Sequence, residues 1–95
     1  MADRRYRVEV APAARRGLAK LAAPIQRRIV RALHGLEVDP RPRGANQLKS
    51  RPDEPNWRLR VGDYRVIYEI RDTQLLVLVI RIGHRGVVYR DISGG

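Results

Sequence analysis

The sequence predicts an α+β domain: an N-terminal strand, a two-helix hairpin, and a three-strand antiparallel meander that completes a four-stranded sheet. Three observations predict it. Apolar and charged residues alternate at period two near the N-terminus and again over 57–71. Between these stretches, apolar residues recur at helical spacing. Two-residue Gly-Asp and Asp-Thr breaks separate the later strands, and that spacing suits hairpins, not crossovers. With 95 residues, 1–95 is one domain, because two halves would each lack the apolar surface to fold alone.

Arg5 to Ala11 reads as the first strand, with Tyr6, Val8 and Val10 alternating with Arg5, Arg7 and Glu9. Pro12 closes it and suits the first turn of a helix. That helix covers Ala13 to Leu21, where Ala14, Leu18 and Leu21 share one face. Gly17 inside it costs up to ~1 kcal/mol of helix propensity, so the helix must lean on tertiary packing. Pro24 opens a second helix, with Ile25, Ile29, Leu33 and Leu36 on one stripe and His34 near its end. Asp39 to Gly44, with two prolines and a glycine, is a loop, and Ala45 to Glu54 is polar and irregular. Trp57 to Val61 and Tyr64 to Arg71 are strands joined at Gly62-Asp63. Asp72-Thr73 is a second tight turn. It leads into Leu75 to Ile82, apolar on both faces as an interior strand is. The first strand joins beside this last one through the helical crossover, and the helices cover the apolar sheet face.

Composition removes several functions. The chain has no Cys, which excludes disulfides, a thiolate metal site and a cysteine nucleophile. Two His residues and scattered carboxylates argue against a transition-metal site, and no cofactor is expected. No stretch is long and apolar enough to span a bilayer, and the N-terminus does not read as a signal peptide. A soluble cytoplasmic protein with no membrane partner is the expectation. Lys+Arg number 20 against Asp+Glu 10, a formal net charge of +10. That excess on a small domain is the footprint of a polyanion binder.

The two meander faces differ. Trp57, Leu59, Val61, Tyr64, Val66, Tyr68 and Ile70 form the core face, and the tyrosines at these positions read as packing. Arg58, Arg60, Arg65, Glu69 and Arg71 lie on the other, joined by Arg81 from the interior strand. This cationic face, rimmed by the C-terminal segment, is the candidate phosphate-binding surface. His84 follows a glycine at the strand end beside Arg85, and an imidazole there is a candidate proton carrier. Tyr89 fits no strand or helix face. Core plug, base-stacking partner and proton-exchange partner of a ribose hydroxyl are all open for it.

The string Trp57-Arg58-Leu59-Arg60-Val61-Gly62-Asp63-Tyr64-Arg65-Val66-Ile67-Tyr68 resembles the central signature of the RelE/ParE toxin superfamily. The ending Gly83-His84-Arg85-Gly86-Val87-Val88-Tyr89 is similar to the closing Gly-His-Arg-X-X-Val-Tyr of its RelE branch. Tyr6 to Leu21 matches its opening pattern, and Leu48-Lys49 occupies the place of its Lys-Leu-Lys/Arg-Gly element.

The resemblance implies a RelE-like fold and a type II toxin that enters the ribosomal A site and cuts mRNA. The ribose 2′-hydroxyl attacks the adjacent phosphate and leaves a 2′,3′-cyclic phosphate. Arg65 matches the family's Tyr-Arg arginine, Arg85 its closing arginine and Tyr89 its terminal tyrosine. Arg58 replaces a strand lysine credited with binding and catalysis, and Lys49, Arg60 and Arg81 add phosphate contacts. Arg65 and Arg85 would donate to the phosphorane oxygens. His84 and Tyr89 are the acid and base candidates, in either order, and no metal is required. The implied partners are a cognate acidic antitoxin, the ribosome and mRNA. Gly86 sits where relatives often carry charge, and Asn56 where some place a lysine. Two alternatives stay open: a ParE-like poison of DNA gyrase without RNase activity, and a non-catalytic nucleic-acid-binding module.

Overall fold

The computed structural model describes residues 5–48 and 56–86. Its elements run β1 (Arg7–Val10), α1 (Pro12–Ala19), α2 (Ala23–Val38), β2 (Ala45–Gln47), β3 (Asn56–Val61), β4 (Tyr64–Arg71), a 3-10 turn (Asp72–Gln74) and β5 (Leu76–His84). The strands form one sheet in the order β1-β5-β4-β3-β2. β1 runs parallel to β5, and the other neighbours are antiparallel. The α+β layering, the meander and the placement of the first strand beside the last agree with the sequence reading.

The strand count does not. The sheet has five strands, not four, because Ala45–Gln47 pairs with β3. These three residues show no apolar alternation. They are extended because the outer edge of β3 offers them backbone partners, and Leu48 N–H extends the pairing to the Asn56 carbonyl at 2.7 Å. The second hairpin also differs. Leu75 belongs to the turn, not the strand: it is left-handed, with φ 49°, and its N–H closes on the Asp72 carbonyl at 3.2 Å. α2 continues two residues beyond Leu36, so His34 lies inside it and meets Glu37 at 3.1 Å.

Both helices begin with proline in the first turn, where the missing N–H costs nothing. Their apolar stripes put Ala14, Ile29, Leu33 and Leu36 into the core, against Val66, Tyr68, Val77, Val79 and Ile82 of the sheet. Tyr68 is fully buried and gives its hydroxyl proton to the Pro40 carbonyl at 2.8 Å. Burial pushes that phenol up to about 12. Gly17 explains itself here. A Cβ at this position would stand 2.0 Å from the Ile82 carbonyl oxygen, so α1 crosses β5 at backbone contact.

A polar cluster ties the loop after α2 to the far end of the sheet. Arg41 grips Asp72 through both terminal nitrogens, at 3.2 and 2.8 Å, and Tyr6 donates its hydroxyl to the same carboxylate. The Arg41 guanidinium also lies 5.4 Å from the Trp57 ring centroid, a cation–π contact. Arg41 and then Tyr6 hold the Asp72 carboxyl down at about 2. A depressed acid stabilises the fold above its ordinary value and loses that contribution as pH falls through the folded value. Wild type is therefore expected to lose its stability advantage over Asp72→Asn between roughly pH 4 and pH 2, measured by urea melts. The pair is solvent-exposed, so the advantage is modest.

Candidate nucleic-acid interface

Directly opposed residues of antiparallel strands share a face. The register sets Arg60, Arg65 and Gly83 in one row across β3, β4 and β5. The next row is Arg58, Ile67 and Arg81. Arg81 reaches this face through a β-bulge. Ile67 faces Arg81 while Tyr68 faces Val79, which leaves Ile80 as the extra residue on β5. Were Ile80 paired in regular register with Ile67, Arg81 would fall opposite Val66, keep the parity of Val77 and Val79, and point into the core. Ile67, fully buried, lies between the two arginines, whose methylene stems suit an apolar neighbour.

The charge on this sheet face is not uniform. Toward the Asp72 end, Arg71 pairs with Glu69 at 3.3 Å, and Arg7 with Glu9 at 2.8 Å. Those arginines are offset by carboxylates of their own strands. Neither of the two arginine rows contains a carboxylate. Four arginines therefore stand in two neighbouring rows at the end nearest the Gly62-Asp63 turn and Arg85. A cluster of guanidinium groups of this kind suits contact with a phosphate backbone.

The candidates differ in what they offer. Arg60 is exposed, and Arg58 and Arg81 are half-buried. Arg65 shares the face but is only 7% exposed. One terminal nitrogen donates to the carbonyls of Gly62 and Tyr64, at 3.1 and 3.0 Å. Its Nε is buried without an acceptor, a desolvation cost of about 1–3 kcal/mol. Gly62 itself takes φ +60°, and the Arg28 guanidinium from α2 packs against it, 3.5 Å from where a Cβ would stand. The sequence reading did not connect Arg28 with this turn, since the residues are far apart in the chain.

His84 closes β5, at the strand end beside Arg85 as the sequence reading has it. The register sets it opposite Tyr64, on the helix-facing side of the sheet, not with the arginine rows. Its exposed ring meets the Tyr64 ring edge-on, with centroids 5.8 Å apart. The bulge is again the cause, since it also shifts the parity of His84. Arg85 leaves the strand end exposed, and its backbone N–H binds the Asp63 carbonyl at 3.1 Å. Lys49 and Tyr89 lie outside the described residues. Among the described residues, no helix is long and apolar enough to cross a membrane.

Comparison with known proteins is consistent over most of the chain. The family model of the ParE toxin of type II toxin–antitoxin system, parDE, matches residues 8–89. The mRNA interferase toxin RelE of Escherichia coli (strain K12) is 34% identical over 67 residues, covering 70% of this chain and 68% of that protein. Toxin RelG of Mycobacterium tuberculosis is 31% identical over 85 residues, 90% of this chain and 97% of that protein. Among solved structures, the archaeal RelE in a RelE–RelB complex from Pyrococcus horikoshii OT3 superposes with a TM-score of 0.75 at 30% identity. That match covers 85% of this chain and 96% of the other. The toxin–antitoxin complex RelBE2 of Mycobacterium tuberculosis gives 0.74 at 32% identity, covering 85% and 99%.

Proposed function

As the chain belongs to the RelE/ParE superfamily of type II toxin–antitoxin toxins, we propose that it is a ribosome-dependent mRNA endoribonuclease that cuts in the A site and so inhibits translation. The observation that carries this reading is the pair of adjacent arginine rows, Arg60 with Arg65 and Arg58 with Arg81, on the strand end that leads into Arg85. An RNA strand laid along them brings a phosphate to the Arg85 guanidinium.

The chemistry follows from the substrate. The 2′-hydroxyl forms a bond to the adjacent phosphorus as the bond to the 5′-oxygen breaks. A base takes the hydroxyl proton, and an acid supplies one to the leaving oxygen. Negative charge grows on the non-bridging oxygens, where Arg85 donates. The nucleophile is the substrate's own ribose, so no metal-bound water has to be generated. Tyr89 is the proton carrier favoured here, because His84 faces the other side of the sheet. Arg58, Arg60, Arg81 and Lys49 hold the backbone. Replacing both Arg58 and Arg60 by Gln is expected to reduce the salt dependence of single-stranded RNA binding. The slope of log K against log salt should fall by about 1.4, at ~0.7 per lost phosphate contact.

An acidic antitoxin fits the same face, with salt-sensitive association. The RelE–RelB and RelBE2 complexes among the similar folds support such a partner. The match to the ParE model favours a second reading, a DNA gyrase poison that does not cut RNA. Purified protein incubated with translating ribosomes, with mRNA 5′ ends mapped, tests the first. Cleavage inside codons is the expected result. Trapped gyrase–DNA cleavage complexes without mRNA cleavage would establish the second. Neither would leave a non-catalytic nucleic-acid-binding module.

A further inference from the structure

We propose that Arg28 is a further RNA-binding residue of this site: its guanidinium, carried by α2 to the Gly62 turn, takes an RNA phosphate beside the scissile one. The inference rests on the endoribonuclease reading for the identity of the bound strand, and on the contacts of Arg28 for the rest. Arg58 and Arg60 are separated along β3 by two residues, about 6.8 Å of strand. The next position of that series is Gly62. It has no side chain, and at φ +60° it holds the left-handed backbone that favours glycine. From β3 alone, the series of cations ends there. Arg28 continues it from another element, with Nη1 and Nη2 standing 3.5 and 3.6 Å from where a Gly62 Cβ would be.

The surroundings of this guanidinium suit an incoming anion. Arg28 is exposed. Among the described residues no carboxylate pairs with it, Asp63 of the same turn included. The only carboxylate of α2, Glu37, meets His34. Arg65 donates to the Gly62 carbonyl at 3.1 Å, so two guanidinium groups lie against one glycine. Like charges held so close repel, and a phosphate bound between them relieves the repulsion. Arg27 and Arg31 are placed otherwise. They line a groove on the outer face of α2 with Val30 and His34. Of the three arginines of α2, Arg28 is the one that meets the turn.

A short single-stranded RNA methylated at its ribose 2′-oxygens cannot be cut, and it serves as the probe. Its binding is followed by fluorescence anisotropy across a salt series. Arg28→Gln should weaken binding at low salt by about fivefold, the scale of one contact to a charged group. The slope of log K against log salt should fall by about 0.7, one phosphate contact. Arg28→Lys keeps the charge and should keep the slope. Arg27→Gln removes an equal charge one residue away and should leave the slope unchanged. An unchanged slope in Arg28→Gln overturns the proposal. So does an equal fall in Arg27→Gln, which would report net charge alone. Glutamine is a good helix former and the position is exposed, so the fold should hold. A lower Tm in Arg28→Gln with no change of slope would make Arg28 a prop for the turn, and the proposal would fail. With translating ribosomes, Arg28→Gln should raise KM and leave kcat within about twofold, since this phosphate is held alike in ground and transition states. A fall in kcat at constant KM overturns the proposal. If wild type binds the probe but cuts no mRNA, the endoribonuclease reading fails, and the salt slopes still decide the role of Arg28.

Discussion

Arg85→Ala is expected to lower ribosome-dependent mRNA cleavage by roughly 10²–10³, the scale of losing one donor to a transition-state oxyanion. The fold should survive, because the contact of Arg85 with Asp63 uses its backbone N–H, which alanine keeps. Arg27→Ala is the control. It removes an equal charge from the exposed surface of α2, across the core from the arginine rows, and cleavage should hardly change. If both variants fell equally, the loss would report net charge and not a local role. Tyr89→Phe then isolates proton transfer, since it keeps the ring and removes only the hydroxyl. A large loss there, with His84→Ala nearly silent, is the pattern that the placement of His84 leads us to expect. The reverse pattern would return the proton to His84.

Gly17→Ala should destabilise the protein by about 3 kcal/mol, with a fall in Tm on the order of 10–20 °C. Helix propensity alone predicts the opposite sign, a gain of up to ~1 kcal/mol. Packing wins because the new methyl meets the Ile82 carbonyl oxygen at 2.0 Å, and that oxygen is backbone in an interior strand. The helix must lift from β5, which loosens the core on both sides of the contact. Gly35 supplies the comparison. It also lies inside a helix, but a Cβ there meets nothing within 4 Å. Gly35→Ala should therefore stabilise by about 0.4–1 kcal/mol. Thermal melts of the two variants should move in opposite directions, and a common direction would refute the backbone-contact account.

Much of the fold was legible because one layer of it is amphipathic in a simple way. Tyr6, Val8 and Val10, and later Tyr64, Val66 and Tyr68, alternate because their strands bury one face under helices. Ile29, Leu33 and Leu36 mark α2 for the same reason. Family membership was legible too, since the Gly62 to Tyr68 and Gly83 to Tyr89 strings are local in sequence. β2 escaped, because Ala45, Asn46 and Gln47 carry no periodic signal and owe their conformation to the edge of β3.

Local patterns along the chain specify the α+β layering, the cationic excess and which strands carry the arginines. Where those arginines stand depends on long-range pairing and packing. Ile80 bulges because of the pairing between β4 and β5, and that one residue brings Arg81 to the basic face and takes His84 from it. Arg65 is buried because the turn carbonyls converge on it. Arg41, Asp72 and Tyr6 meet across most of the chain's length. Periodicity is a property of neighbours along the chain. Pairing register and burial depend on residues far away in it, so no local pattern can carry them.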